Sequence, residues 1–211
     1  MAGKNTFYKT LLGTIFFLVF VFFSFVVKKD MLKNLDFDTT VKLQDHISRK
    51  LDTPLSYFSL LGSAEVTTSV LIGLIILIIF TKRKFFLGSV MFFVATFIEI
   101  VGKNYIVHPS PPFFLLRYDL GFSFPSFYVH TNYSYPSGHM TRTAFLLLVI
   151  LVLIYESKKK MLWKYFSYFL ILTFASLMYI SRIYLGEHWF SDVFGGLLLG
   201  VSTAFFGLVL L

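Results

Sequence analysis

Residues 135–155 read YPSGHMTRTAFLLLVILVLIY, and this stretch joins a short polar motif to an apolar run. No charged residue follows Arg142 until Glu156. The run reaches the length of a membrane-crossing helix, roughly 17 to 25 residues, only if the helix already begins at Ser137. The stretch therefore predicts a transmembrane helix whose first turn lies at the membrane–water boundary and carries the polar motif.

The rest of the chain has the same apolar character. Of its 211 residues, 56% are hydrophobic and 14% are charged, a composition that excludes an ordinary soluble domain. Six segments are each apolar over about the length of a membrane helix: Phe7–Val27, Leu55–Phe80, Phe85–Tyr105, His139–Tyr155, Met161–Ile180 and Phe190–Leu211. The sequence thus predicts an all-α integral membrane protein with six transmembrane helices.

Basic residues in short loops indicate how these spans are oriented. Loops 81–84 and 156–164 together hold seven Lys or Arg and one acidic residue, which is typical of cytoplasmic loops. Lys4 and Lys9 place the N-terminus on the same side. The opposite side carries ten basic residues, but six of these share the loop 28–54 with five aspartates. We expect a plasma-membrane protein with both termini in the cytoplasm and its polar motifs on the extracytoplasmic side.

Composition also limits the partners. The net charge of +8 comes from basic residues at span ends rather than from one soluble face, which favours anionic lipid over nucleic acid. The chain has no cysteine, which excludes thiolate catalysis and thiolate metal sites. We expect the lipid bilayer and a lipid substrate as partners, without an obligate protein partner.

The chain is expected to form one structural domain. Residues 1–54 are interpreted as an N-terminal transmembrane anchor followed by an outer loop, and residues 55–211 as the core. Within the outer loop, residues 38–51 predict a short helix on the membrane surface, with Val41, Ile47 and Leu51 near one face.

Three polar clusters fall on the same predicted side of the membrane. They are GKNYIVHPSPP (102–112) at the end of the third span, PSGH (136–139) at the start of the fourth and SRIYLGEHWFSD (181–192) before the sixth. Taken singly, each has a structural explanation: Lys103 can extend to the interface, Ser137 can cap a helix and His188 can be an interfacial anchor. Their convergence at one surface favours a shared site.

The residues of these clusters suit phosphoryl transfer through histidine. If the last helix begins near Glu187, His188 and Asp192 lie at positions i and i+4, so the carboxylate can hold one ring nitrogen and leave the other as a nucleophile. His139 is then the candidate general acid for the leaving oxygen. This chemistry requires no metal ion or other cofactor, and the histidines lack a metal-ligand spacing.

Other residues of the clusters are candidates for binding the phosphate group. The backbone N–H groups of Ser137 and Gly138 at a helix N-terminus form an anion site, and Lys103 and Arg182 add positive charge. Glu99 lies one turn before Lys103 inside the third span. We expect Glu99 to orient Lys103, with a purely structural pairing as the alternative.

The clusters resemble the motifs of the type 2 phosphatidic acid phosphatases (PAP2). That pattern is Lys, six residues, Arg-Pro; then Pro-Ser-Gly-His; then Ser-Arg, five residues, His, three residues, Asp. The second and third parts match in full, at Pro136, Ser137, Gly138 and His139 and at Ser181, Arg182, His188 and Asp192. The resemblance covers about residues 55–211. It implies a six-helix membrane fold, metal-independent dephosphorylation of lipid phosphates, His188 as nucleophile and His139 as general acid.

The first part of the pattern is incomplete. Lys103 and Pro111 match it, but Ser110 stands where the family has arginine. Arg142 is the favoured replacement as a phosphate ligand, because it follows His139 by three residues on the same predicted helix.

Two alternatives to this role of Arg142 remain open. Arg117, in an aromatic-rich loop that can fold over the site, is the rival replacement for the missing arginine. A salt bridge from Arg142 to Asp119 or Glu99 is the structural alternative, since a charge inside the membrane requires a partner.

The expected function is hydrolysis of a lipid phosphate monoester or pyrophosphate on the extracytoplasmic face through a phosphohistidine. Phosphatidylglycerophosphate, phosphatidic acid and undecaprenyl pyrophosphate all remain candidate substrates, because the motifs contact phosphate and not the lipid tail. The alternative, suggested by Ser110, is a catalytically weakened relative that binds or flips anionic phospholipid. A channel or transporter fits less well, because the paired inverted segments of transporters are not evident.

Overall fold

The computed structural model describes residues 2–80, 85–122, 124, 125 and 131–210. Within these residues the chain forms eight α-helices and no strand, which confirms the all-α prediction. The helices are α1 (Ala2–Lys28), α2 (Lys33–His46), α3 (Asp52–Ser59), α4 (Ala64–Phe80), α5 (Phe85–Tyr105), α6 (Gly138–Glu156), α7 (Met161–Tyr184) and α8 (Phe190–Val209). Short 3-10 turns cover Arg49–Leu51, Leu60–Gly62 and Phe113–Leu115.

Five helices of the described residues are long and apolar enough to cross a bilayer: α1, α5, α6, α7 and α8. A sixth candidate consists of α3 and α4, which meet at an angle of 48°. The prediction of one continuous helix over Leu55–Phe80 is therefore wrong. The chain leaves the helical conformation at Ser63, where ψ is 159°. The Ser63 hydroxyl oxygen then accepts a 3.3 Å hydrogen bond from the Val66 N–H and caps the start of α4.

α8 is the central helix of the bundle. Over its apolar 18-residue stretch, 67% of the residues are buried, against 17% for the corresponding stretch of α1. It packs against α1, α5 and α6. Glycines permit the close approach of α6: a Cβ at Gly196 would lie 2.4 Å from the Ser137 carbonyl oxygen, and one at Gly200 would lie 2.3 Å from that of Thr141. This contact brings the first turn of α6 beside the first turn of α8.

The predicted helix of the first outer loop is present, but its bounds and its buried face differ. α2 covers Lys33–His46 instead of 38–51, because the backbone becomes extended at Ile47. Leu51 belongs to a separate turn and is 45% exposed. The buried side chains of α2 are polar, namely Asp36, Thr40 and Gln44. The helix therefore packs on the protein through these polar side chains and through Leu43, and the predicted apolar face of Val41, Ile47 and Leu51 is wrong.

Candidate active site

His188 and Asp192 are held together at the start of α8. The helix begins at Phe190, where the predicted span begins, and not near Glu187 as the i, i+4 argument assumed, so His188 lies in the preceding loop. Its Nδ1 is 3.2 Å from Oδ2 of Asp192, and the same oxygen accepts a 3.0 Å hydrogen bond from the Trp189 N–H. Asp192 thus caps the helix and orients the imidazole at once. Nε2 is the ring nitrogen left for a substrate.

His188 lines a cavity of about 270 Å³ that all three sequence motifs reach. The charged or titratable side chains of its wall are Glu99, Lys103, His139, Arg142, Arg182 and His188. The remaining wall residues are Ala64, Thr96, Ile100 and Thr131. The structure therefore brings together both predicted histidines and three predicted phosphate-binding cations.

Glu99 links two of these cations. Its Oε1 lies 2.8 Å from Lys103 Nζ, and its Oε2 lies 2.6 Å from Arg142 Nη1. The expected contact between Glu99 and Lys103 is present, and so is the salt bridge considered as the alternative role of Arg142. The carboxylate partner of Arg142 is Glu99 and not Asp119. Because Arg142 also lines the cavity, this ion pair leaves it within reach of a ligand.

The Glu99 carboxylate lies against the first residue of α6. A Cβ at Gly138 would be 2.0 Å from Glu99 Oε1, so this contact requires glycine. The N-terminal end of a helix dipole stabilises a negative charge placed there. Glu99 thus occupies a position that the sequence suggested for phosphate.

The predicted role of the Ser137 backbone N–H needs correction. This group donates a 2.9 Å hydrogen bond to the Asp192 carbonyl oxygen, so it is not available to an anion. Neither Ser137 nor Gly138 belongs to the described wall of the cavity. The physical reason is the close packing of α6 on α8, which places the Ser137 backbone against the other helix. Ser137 instead connects the two histidine motifs.

Arg182 of α7 is buried and paired within the protein. Its Nη1 lies 2.5 Å from Glu187 Oε2 and also donates to the Ser59 hydroxyl. Burial raises the pKa of the Glu187 carboxyl, while the positive charge of Arg182 acts in the opposite direction. Neither partner is predicted from the sequence. Glu187 adjoins His188 within a recognised motif, but Ser59 has no sequence signal, since its contact depends on the bend between α3 and α4.

His139 is fixed by the same bend. It is the second residue of α6, and a Cβ at Gly62 would lie 3.0 Å from its Cδ2 atom. The turn between α3 and α4 therefore packs directly on the His139 ring. A continuous helix over residues 55–80 would not form this contact in the same way.

Two arginines of the cavity wall each contain a buried donor without a partner. The Nε groups of Arg142 and Arg182 have no hydrogen-bond partner among the described residues, although both side chains are more than nine-tenths buried. An unpaired buried donor is costly, and a phosphate has several oxygens that can accept from arginine. Among the residues that the structure describes, no group of three or more His, Cys, Asp or Glu is arranged to hold a metal ion.

The surroundings of His188 favour its neutral form. Burial lowers the pKa of His188 well below 6.5, and the positive charges of Arg182, Lys103 and Arg142 act in the same direction. A neutral imidazole with Nδ1 held by a carboxylate is the form that a histidine nucleophile requires.

Arg117 and Ser110 lie outside the described wall of this cavity. The Arg117 guanidinium stacks on the Tyr184 ring at 5.2 Å and donates a 3.3 Å hydrogen bond to its hydroxyl. Ser110 lines a separate cavity of about 470 Å³ beside α2. The geometry therefore favours Arg142 over Arg117 as the substitute for the missing arginine.

Fold and site together define a multi-pass, all-helical membrane protein with a buried cationic cavity that carries two histidines. The family model described as the PAP2 superfamily matches residues 83–211. The chain belongs to the PAP2 superfamily. No curated protein matches it.

Two solved structures share this fold. The first transmembrane PAP2 type phosphatidylglycerolphosphate phosphatase from Bacillus subtilis has a TM-score of 0.69 and 23% identity, covering 92% of this chain and 93% of that chain. Aquifex aeolicus LpxE has a TM-score of 0.59 and 23% identity, covering 82% and 94%. These similarities confirm the predicted PAP2-type helical membrane fold.

Proposed function

We propose that this chain is an integral-membrane lipid phosphatase that acts on the extracytoplasmic face without a metal ion. The observation that carries the proposal is the pair of His188 and Asp192 on a cavity that also holds His139 and three cations. Membership of the PAP2 superfamily supports it. The Bacillus subtilis protein of the same fold is by name a phosphatidylglycerolphosphate phosphatase.

In the first step, Nε2 of His188 attacks the phosphorus atom. The N–P bond forms while the P–O bond to the lipid breaks, and His139 donates a proton to the departing oxygen. With a monoester the leaving group is a lipid alcohol, and with a pyrophosphate it is a lipid monophosphate. Lys103, Arg142 and Arg182 stabilise the charge on the other phosphoryl oxygens.

In the second step, a water molecule attacks the phosphohistidine. His139, now deprotonated, takes a proton from the water, the N–P bond breaks and inorganic phosphate leaves. Throughout both steps Asp192 holds Nδ1 of His188 and stabilises the positive charge that develops on the ring. The cycle therefore returns both histidines to their starting forms.

The wall of the cavity suits a lipid phosphate. Ala64 of α4 and Thr96 and Ile100 of α5 form its less polar side, and Ile100 is 45% exposed. A phosphate group can reach the cations from between these helices while its tail stays in the bilayer. Phosphatidylglycerophosphate, phosphatidic acid and undecaprenyl pyrophosphate each meet this description.

The deciding experiment is phosphate release by the purified protein in EDTA from a panel of these three lipids. We expect turnover in EDTA, none with the His188→Ala variant, and a ranking that identifies the substrate. Release that requires an added divalent ion would contradict the metal-independent mechanism, and no release from any lipid would contradict the phosphatase.

The absence of phosphate release from any lipid would favour the alternative, a catalytically weakened relative that binds or flips anionic phospholipid. Ser110 is the observation behind it, since one arginine of the family pattern is absent. Binding of the same lipids without turnover would support this function. The presence of His139, His188 and Asp192 argues for the enzyme, because a protein that only binds lipid does not need all three.

A further inference from the structure

A buried polar cluster lies next to Asp192 and has no role in the chemistry proposed above. It consists of Asp36 of α2, His108 of the loop after α5 and Ser191 of α8, with exposures of 1%, 6% and 0%. Burying a carboxylate and an imidazole is unfavourable unless both are hydrogen-bonded. Their contacts therefore show what the cluster holds in place.

Asp36 binds the first turn of α8 through two hydrogen bonds. Its Oδ1 accepts from the Ser191 backbone N–H and its Oδ2 accepts from the Ser191 hydroxyl, both at 2.8 Å. A negative charge at a helix N-terminus is stabilised by the helix dipole. Because Ser191 directly precedes Asp192, the surface helix α2 fixes the turn that orients the proposed nucleophile.

His108 lies between this pair and the second oxygen of Asp192. Its Nε2 lies 3.1 Å from Ser191 Oγ and 3.4 Å from Asp192 Oδ1, the oxygen that His188 does not contact. The Ser191 hydroxyl gives its proton to Asp36, so towards His108 it can only accept. The proton of a neutral His108 therefore lies on Nε2 and is donated to Ser191 Oγ, beside Asp192 Oδ1.

The buried surroundings of His108 favour its neutral form. Burial lowers the pKa of His108 to about 4, although Asp30 acts in the opposite direction. At neutral pH the ring thus carries one N–H group, whose position is set by Ser191 and, through it, by Asp36.

We infer that Asp36 is a positioning residue for the reaction, acting through Ser191 and His108 on the orientation of Asp192 and so of His188. The inference rests on the proposed function. It assigns α2, an element outside the three sequence motifs, a direct mechanical link to the active site.

The Asp36→Asn variant tests this link because it reverses the hydrogen bond with the Ser191 hydroxyl without changing the size of the side chain. The new amide would donate to Ser191 Oγ, the Ser191 proton would turn towards His108, and Nε2 would lose its hydrogen. We expect kcat to fall about tenfold or more with KM nearly unchanged. Asp38→Asn is the matched control, since it removes the same charge from an exposed position of the same helix and should leave kinetics unaltered.

A second pair of variants tests His108. Gln places an amide donor near the position of Nε2, whereas Leu removes the donor at similar size. We expect His108→Gln to retain most of the activity and His108→Leu to lose about as much as Asp36→Asn. A merely structural role would instead lower the thermal stability of both variants and leave kcat of the folded fraction intact. This pair also decides the question if Asp36→Asn does not fold.

Binding of orthovanadate, followed by tryptophan fluorescence, separates failure of the inference from failure of the proposed function. We expect Asp36→Asn and His108→Leu to bind vanadate about tenfold more weakly than wild type and Asp38→Asn. If wild type binds vanadate but releases no phosphate, the proposed function fails and the vanadate affinities decide the inference. Equal turnover and equal affinity in folded Asp36→Asn, His108→Leu and Asp38→Asn would overturn it. Wild type that does neither would overturn both.

Discussion

The cations of the cavity are already paired with carboxylates of the protein. Glu99 contacts Lys103 and Arg142, and Glu187 contacts Arg182. This pairing offsets the unfavourable burial of charge and fixes the side chains before a substrate binds. A phosphate group would then meet preorganised donors and would not have to reorganise them, which is how electrostatic stabilisation of a transition state is most effective.

Arg142 should contribute to transition-state binding. Arg142→Ala is expected to cost about 1–3 kcal/mol in kcat/KM, because it removes a charge-assisted contact to phosphate. Arg117→Ala is the control and should have little effect, since Arg117 contacts Tyr184 instead. Ser110→Arg should not restore the activity, because Ser110 lines the separate cavity beside α2. Unchanged kinetics in folded Arg142→Ala would show that its only role is the salt bridge with Glu99.

Substitutions of His188 and of Asp192 should differ in their kinetic effects. His188→Ala is expected to abolish turnover, while Asp192→Asn should keep a small residual rate, because the histidine forms the bond to phosphorus and the aspartate orients it. Rapid quenching with radiolabelled substrate should trap an acid-labile, base-stable phosphoprotein in wild type. Finding this adduct in His188→Ala would show that another residue is the nucleophile.

The acid limb of the pH–rate profile should report His188. Its pKa is held below 6.5, so kcat/KM should persist below pH 6.5 and fall only as His188 becomes protonated. Lys103→Gln removes one of the responsible positive charges and should move the limb to higher pH. Titration of the substrate is the same for both proteins, so the difference belongs to the enzyme. A limb that stays in place, or moves to lower pH, would contradict this account.

At the level of single residues, the sequence identified the groups with distinctive chemistry. His139, His188, Asp192, Lys103 and Arg182 were found because their residue types and spacings are informative by themselves. Their partners Ser59 and Asp36 could not be identified in this way, since single serines and aspartates are common throughout proteins. Only tertiary packing gives these residues a role, as it also removes the Ser137 N–H from the anion site.

At the level of elements, the bend between α3 and α4 was the main feature that hydropathy did not reveal. Leu55 to Phe80 is apolar on average, and a hydropathy average does not register the polar stretch GSAEVTTS (62–69) that contains the break at Ser63. The break is instead associated with contacts at the site, where Ser59 accepts from Arg182 and Gly62 packs against His139. Hydropathy indicates that a segment suits the membrane but not that it is straight.

We expect the lipid to enter the cavity between α4 and α5, on the side lined by Ala64, Thr96 and Ile100. Ala64→Trp would fill the less polar wall of the cavity and is expected to reduce kcat/KM for lipid phosphates by about tenfold or more, while sparing a small soluble phosphate ester. Val70→Trp, at a 42% exposed position of the same helix, is the control. Equal losses on soluble and lipid substrates would mean that the Ala64→Trp substitution damages the site itself and that this gap is not the entrance.

At the level of the whole molecule, α6 relates the site to the opposite side of the membrane. Its first residue, Gly138, adjoins the site, and its last, Glu156, precedes the lysine-rich loop. Nineteen helical residues extend over about 28 Å, close to the hydrocarbon thickness of about 30 Å. The site and Lys158–Lys160 therefore lie near opposite faces of the bilayer. The other basic loop used to predict orientation, residues 81–84, lies outside the described residues.

Which face is cytoplasmic stays a prediction from the distribution of charge, and single cysteines can test it in a chain that has none of its own. We expect an impermeant maleimide to label Lys50→Cys in intact cells, and to label Lys159→Cys only after the cells are permeabilised. Both positions are exposed, so access to the reagent depends on sidedness and not on burial. Phosphate release by the intact cells from added lipid phosphate should then match the labelling, because the site faces the same side as Lys50. The opposite labelling pattern would reverse the topology and place the hydrolysis of lipid phosphate in the cytoplasm.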